Sequence, residues 1–206
     1  MTKLVSPYKN IKQYTRILVE PYHMNSDIKN NMKTILKKKV EKKCNKNGYI
    51  DEVYRILEYS DGFMPAENLT GAAIYNISYH CKICYPVENT IIIGLIKVIN
   101  QELVAAINGP IMILIPKNNV DTTFWDISEN YSYKKEKGRK LISGDYVKIL
   151  IVDKRINQND TQIKTIGKLL ELATPEEVEN YFGNKLFEKV DETKDKEEPL
   201  ATNFIF

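Results

Sequence analysis

Hydrophobic and polar positions alternate along much of this chain, and the alternation predicts a protein built mainly of strands. The clearest stretch is 71–84. Ala73, Tyr75, Ile77, Tyr79, Cys81 and Ile83 fall on one face, and Ile74, Asn76, Ser78, His80, Lys82 and Cys84 on the other. Residues 14–22 read as a strand with Ile17 and Val19 on one face, ended by Pro21. The period then changes. Across 27–44, Ile28, Met32, Ile35, Leu36 and Val40 form one helical stripe. Ser26 or Asp27 is placed to cap this helix, and Asn47-Gly48 is its stop signal. Residues 49–59 read as a strand. Ser60-Asp61-Gly62 is a turn signal, and Phe63, Met64 and Pro65 sit in the loop beyond it.

Pro86 breaks the pattern and marks a domain boundary. Beyond it five short strands are expected, at 89–99, 103–107, 111–115, 145–153 and 162–170. Asn108-Gly109-Pro110 turns between the second and third, and Asn157-Gln158-Asn159-Asp160 between the last two. Residues 121–138 are polar and aromatic without period and read as a long loop. Five short strands in succession suggest a small closed barrel, of which the OB-fold is the five-stranded case. At 174–177, Thr-Pro-Glu-Glu combines a cap, a first-turn proline and a reciprocal glutamate. Val178, Tyr181 and Phe182 make the stripe of this last helix, and Gly183 is its expected end. Residues 191–199 are charged and expected to be a flexible tether. Phe204, Ile205 and Phe206 then form an apolar end expected to dock on a partner or on the chain itself.

The resulting expectation is an α+β, mostly β chain in three parts. Residues 1–86 form a small domain of strand, helix and antiparallel strands, 87–173 a barrel, and 174–206 a helical extension and tail.

Composition narrows the function. The chain has 206 residues and a net charge of +3, which excludes a histone-like polycation. The longest apolar run, 90–96, contains Gly94 and soon meets Lys97, well short of the ~18–20 residues of a membrane span. Residues 1–10 lack the apolar core of a secretory signal. Three cysteines predict a reducing compartment rather than a disulfide framework. Lys outnumbers Arg by 26 to 4, beside 26 Ile and 19 Asn, the signature of AT-rich codons. Most of the lysines read as solvated surface, since Arg rather than Lys is the better partner for phosphate and base edges. Lys37, Lys38, Lys39, Lys42 and Lys43 crowd the C-terminal half of the first helix, where the helix dipole favours cations without any ligand.

Little here supports catalysis or metal chemistry. His80-Cys81-Lys82-Ile83-Cys84 contains a C-x-x-C, but on a strand the two cysteines point to opposite faces. Cys44 and His23 do not complete a zinc set at a known spacing. The two histidines, His23 and His80, lie outside any glycine-rich or nucleophile-bearing loop. The expectation is a non-enzyme without cofactor or metal. For nucleic acid, the barrel strands offer Lys97, Lys117, Lys148, Lys154 and Arg155. The stacking aromatics that single strands require are few. Tyr146 is on a strand, while Phe124, Trp125, Tyr131 and Tyr133 are in the long loop, where they are at least as well placed to pack on the barrel.

These elements in this order resemble the stalk subunit of DNA-directed RNA polymerases, the seventh-largest subunit of RNA polymerase II and its archaeal E-type counterpart. The resemblance spans 17–173. Its anchors are Ile17 to Pro21, Val40-Glu41 with Cys44, Gly48-Tyr49-Ile50, Asp61-Gly62 with Pro65 and Gly71, and Tyr79 to Pro86. Further anchors are Asn108 to Ile111, Gly144 to Val147, and Ile166-Gly167. It implies a tip domain that docks on the polymerase core near its clamp, for which the turn residues Asp61, Gly62, Phe63, Met64 and Pro65 are the candidates. It implies a barrel that meets nascent single-stranded RNA, large and small polymerase subunits as partners, and a small helical stalk partner. Three departures stand out. Lys42 occupies the family's glycine after the helix, Tyr85 replaces an arginine, and 101–104 lacks the family's glycine and aromatic. With the codon bias, this divergence resembles a polymerase of a large nucleocytoplasmic DNA virus, and an AT-rich eukaryote shows the same bias. A virion and host-cytoplasm location follows from the first and a nuclear one from the second. The other class that the residues leave open is a free OB-fold RNA-binding protein such as a translation factor.

Overall fold

The computed structural model describes residues 4–126, 131–135 and 139–187, with side chains to 183. Residues up to Ala173 form one compact unit and those from Thr174 a second. The first contains a four-stranded sheet with one helix, followed by a closed barrel. The sheet consists of β1 (Tyr8–Val19), β2 (Lys43–Asn45), β3 (Gly48–Tyr59) and β4 (Ala73–Cys84), in the order β1-β4-β3-β2 and antiparallel throughout. Helix α1 (Ile28–Val40) covers one face. Met32 and Leu36 of α1 pack with Ile17, Val19, Ile50, Val53, Ile77, Tyr79, Cys81 and Ile83. Each such aliphatic side chain taken out of water contributes about 1.5–3 kcal/mol. Here the predicted alternation of 71–84 meets its cause, because the odd-numbered residues of β4 face the helix.

Several sequence expectations need correction. The first strand begins at Tyr8, not at 14, because 8–13 pair with the far half of β4, Tyr8 opposite Cys84. The helix ends at Val40, not at 44. Lys42 takes a left-handed backbone with φ of 58°, and 43–45 leave as strand β2. Asp27 holds the cap position, but its carboxylate accepts from the Asn30 side-chain amide at 2.6 Å rather than from a backbone N–H. Cys84 is fully buried although it lies on the nominally polar face.

The barrel comprises β5 (Ile91–Ile99), β6 (Leu103–Asn108), β7 (Ile111–Pro116), β10 (Tyr146–Arg155) and β11 (Ile163–Leu172). Its order is β10-β11-β7-β6-β5, with β10 returning to pair with β5 and β7 parallel to β11. Four antiparallel ladders and one parallel ladder in this order are consistent with an OB-fold. The interior is filled by Ile92, Ile96, Ile113, Ile115, Val147, Ile149, Ile151 and Leu169. Gly167 has a packing reason, since a side chain there would collide with Ile149 and Ile113.

The expected loop at 121–138 instead contains a small hairpin, β8 (Trp125–Asp126) with β9 (Ser132–Tyr133). Trp125, Tyr131 and Tyr133 are buried, and the Trp125 indole N–H donates to the Leu170 carbonyl. The aromatic spacing had no strand period because one hairpin anchors all three. The second unit is α2 (Pro175–Phe187), which passes through Gly183 rather than ending there. Thr174 and Glu177 cap it reciprocally, at 3.3 and 2.9 Å.

Candidate docking and nucleic-acid surfaces

Helix α1 packs on one face of the sheet, and the opposite face is the candidate docking surface. By strand alternation it presents Tyr14, Arg16 and Leu18 of β1 across from Ser78, Asn76 and Ile74 of β4. The loop from β3 to β4 extends this face. Phe63 bridges to Ile74 through two main-chain hydrogen bonds, Phe63 N–H to Ile74 C=O at 3.0 Å and the reverse at 2.8 Å. Paired residues point the same way, so Phe63, Ile74 and Leu18 form one row. Phe63 is 67% exposed, Met64 59% and Leu18 49%. Gly62 lies tight against the Tyr75 ring, 2.7 Å from where a side chain would begin, which pins the turn. Asp61 is exposed and Pro65 half-buried. Beside the row, Tyr14, Arg16, Tyr59 and Asn76 line an open groove of about 510 Å3. Solvent-facing apolar rows of this kind are the usual core of a protein interface. The sequence reading singled out the turn but missed Leu18, Tyr14 and Ile74, whose signal was an apolar residue on the polar parity of each strand.

The five basic barrel residues do not converge. Lys97 and Lys117 are exposed, near the ends of β5 and β7, where Leu103 pairs with Pro116 and Ile99 with Val104. Lys148 lies on β10 and is tied to Glu171 at 3.0 Å. Glu171 also binds Lys135 at 2.7 Å, and these two lysines hold its carboxyl below the usual range. Lys154 and Arg155 are at the other end of β10. Lys154 lies 4.3 Å from the Tyr85 ring centroid and 3.4 Å from Glu88. Burial opposes the Lys154 charge, but Tyr85 and Glu88 outweigh it and hold its pKa above the ordinary value. Arg155 donates to Asn157 at 3.3 Å. Of the aromatics, Trp125, Tyr131 and Tyr133 are buried. Phe124 lies under the Lys135 ammonium at 4.8 Å, and Tyr146 is 37% exposed. The barrel therefore offers dispersed charge and little stacking surface.

Cys44, Cys81 and Cys84 are free and buried. Burial pushes the Cys44 and Cys81 thiols up to about 11. Among the described residues no three His, Cys, Asp or Glu side chains are grouped to hold a metal, and no helix is long and apolar enough to cross a membrane. The tail residues Phe204, Ile205 and Phe206 lie outside the described residues, as does the expected tether.

No family model matches the chain. It is similar to a protein of Acanthamoeba polyphaga mimivirus named "Putative DNA-directed RNA polymerase subunit L376". The two are 34% identical over 181 residues, covering 88% of this chain and 91% of the viral protein. Similarity of that extent takes in both the four-stranded sheet and the barrel. The chain therefore belongs to the family of DNA-directed RNA polymerase subunits.

Proposed function

We propose that this subunit is the stalk component of a multisubunit, DNA-dependent RNA polymerase encoded by a large DNA virus. In this reading 1–86 is the tip that docks on the polymerase core near its clamp, through Asp61, Gly62, Phe63, Met64 and Pro65. Residues 87–173 are the barrel that guides nascent single-stranded RNA. Residues 174–206 add a helix and a tail whose apolar end, Phe204 to Phe206, contacts a neighbouring subunit. The partners are the large and small core subunits and a small helical stalk partner. The role is non-catalytic, in transcription, within the virion and the host cytoplasm.

The observation that carries the reading is the row of exposed Phe63 and Leu18 on either side of half-buried Ile74, with the turn fixed by the Phe63–Ile74 pairing. Apolar side chains on a pinned turn contribute nothing to their own core and gain burial only against a partner. A free RNA-binding barrel has no need of such a turn. The test is affinity purification of the tagged chain from its native source. Recovery of the two largest polymerase subunits in stoichiometric amount supports docking; recovery of RNA or ribosomal proteins alone contradicts it.

A further inference from the structure

The β6–β7 hairpin is apolar on both faces. Its strands read Leu-Val-Ala-Ala-Ile-Asn and Ile-Met-Ile-Leu-Ile-Pro, with Asn108 as the one polar residue. An antiparallel sheet with one face in water alternates apolar and polar side chains, and near-continuous apolar runs mark strands covered on both faces. Val104, Ala106, Ile111, Ile113 and Ile115 account for one face, buried within the barrel. The other face follows from the register. Val98 pairs with Ala105, Ala105 with Leu114 and Leu114 with Ile166, one row across β5, β6, β7 and β11. Beside it Leu95 pairs with Ile107 and Ile107 with Met112, and this second row ends on Lys164. Val98 is 49% and Ile166 40% exposed, and the apolar residues between them are half-buried. Contiguous outward-facing apolar positions of this kind mark a binding surface.

The surroundings select the partner. Lys97 adjoins Val98, Lys117 follows Pro116, and Lys164 pairs with Arg155 across the β10–β11 ladder. All four cations are exposed and none is paired with a carboxylate among the described residues. Two exposed acids stand against them, Glu102 in the β5–β6 turn and Asp153 opposite Ile166. The rim is therefore net positive and complements an acidic partner. Between the cations lie aliphatic side chains, which give a nucleic-acid base no ring to stack on, so RNA would gain phosphate contacts alone. The barrel is closed, so a partner strand has no edge to extend here. A partner docks through side chains, as a helix does, and Ala105 at the centre of the first row is the low point that admits a helix ridge.

We infer that the outer face of β5, β6, β7 and β11 docks an amphipathic helix of another protein. Its aliphatic stripe lies on the row from Val98 to Ile166, and its acidic flanks face Lys97, Lys117, Lys164 and Arg155. This contact is separate from the turn at Phe63 and does not depend on where that turn docks.

The test titrates the full-length chain with synthetic helical peptides of about 18 residues, five turns. One carries a leucine stripe flanked by glutamates, one the same stripe flanked by lysines, and one the composition of the first in scrambled order. A uridine oligonucleotide is the fourth probe. Binding is read by calorimetry and by the shift of the Met112 methyl in 13C spectra. The glutamate-flanked peptide is expected to bind with Kd below about 100 μM and to move the Met112 methyl. The other two peptides are expected to bind at least about tenfold more weakly. Val98→Glu with Ile166→Glu, both at exposed positions, is expected to weaken binding about tenfold or more with the melting temperature retained. Lys97→Glu with Lys164→Glu is expected to reverse the preference, so that the lysine-flanked peptide binds better. Equal binding of all three peptides, no binding, or an unchanged preference in the Lys97/Lys164 variant overturns the inference. So does a Met112 shift with the oligonucleotide alone, which assigns the face to RNA. A concentration-dependent dimer that the Val98/Ile166 variant dissolves assigns it to a second copy of this chain and also overturns the inference.

Discussion

The Cys44 amide donates to the Asp160 carbonyl at 2.8 Å, and the Cys44 carbonyl accepts from the Asn159 amide at 2.9 Å. The turn after β10 thus continues the edge of β2, and the sheet and barrel share main-chain hydrogen bonds. Asn159 makes this possible by taking φ of 67°, a region that asparagine tolerates better than most residues. Two consequences are expected. Asn159→Ala destabilises the chain by about 1 kcal/mol while Asn159→Gly is near neutral. Denaturation followed by Trp125 fluorescence, in the barrel region, coincides with loss of exchange protection in β4, in the sheet. Separate transitions would contradict the shared edge.

Lys42 gives a second test. Its φ of 58° is a conformation natural to glycine, the residue expected there by family resemblance. The ammonium forms an exposed ion pair with Asp51 at 2.7 Å, which offsets little of the strain. Lys42→Gly is expected to raise stability by up to about 1 kcal/mol. Lys42→Ala keeps the strain, loses the pair and is expected to be the least stable of the three. Chemical denaturation of the three proteins checks the order, and a glycine variant less stable than the alanine variant would contradict it.

The buried thiols predict a pH and reactivity profile. Cys44 and Cys81 have pKa values of about 11, raised by burial, with Asp160 adding to the effect on Cys44. For an acid whose folded pKa is raised, the neutral form is favoured by folding. The associated stability is complete below the ordinary thiol range and is lost as pH climbs toward 11. At pH 8 a thiol-specific reagent is expected to modify the folded protein slowly and all three cysteines rapidly in denaturant. Rapid stoichiometric labelling of Cys44 or Cys81 in the folded state would contradict their burial.

How much of this was legible depended on whether a residue's role was local. The barrel strands and the face of β4 followed from period-two alternation, because the pleat alone decides which side is buried. The first half of β1 did not, since between Tyr8 and Gln13 only Ile11 is aliphatic, too little to show a period, and the segment is strand through pairing with β4. The end of α1 was masked because Val40 continues the stripe while Lys42, unsuited by residue type to end a helix, bends the chain. The turn at Phe63 was legible as apolar residues among turn formers. The row it completes with Ile74 and Leu18 joins residues 11 to 56 positions apart and needs the sheet register.

The dispersed barrel charges predict that any RNA binding is weak. Lys148 and Lys154 are engaged by carboxylates, which leaves Lys97 and Lys117 as the exposed lysines of the original set. Arg155, exposed and bonded to the neutral Asn157, remains as a third cation. With roughly three phosphate contacts, the affinity of the isolated chain for single strands is expected to fall with a log–log salt slope of about −2. Filter binding across a salt series checks this. A salt-insensitive, sequence-specific complex of nanomolar affinity would favour the free RNA-binding protein instead.

The most direct measurement of the central claim is polymerase incorporation of the tagged chain carrying Phe63→Ala and Met64→Ala, compared with wild type in the native source. Both side chains are solvent-facing, so the melting temperature of the isolated protein is expected to be unchanged within about 2 °C. Losing two central apolar anchors is expected to cut the co-purifying large subunits to about a tenth or less. Wild-type amounts of those subunits with the double variant would contradict docking through this turn.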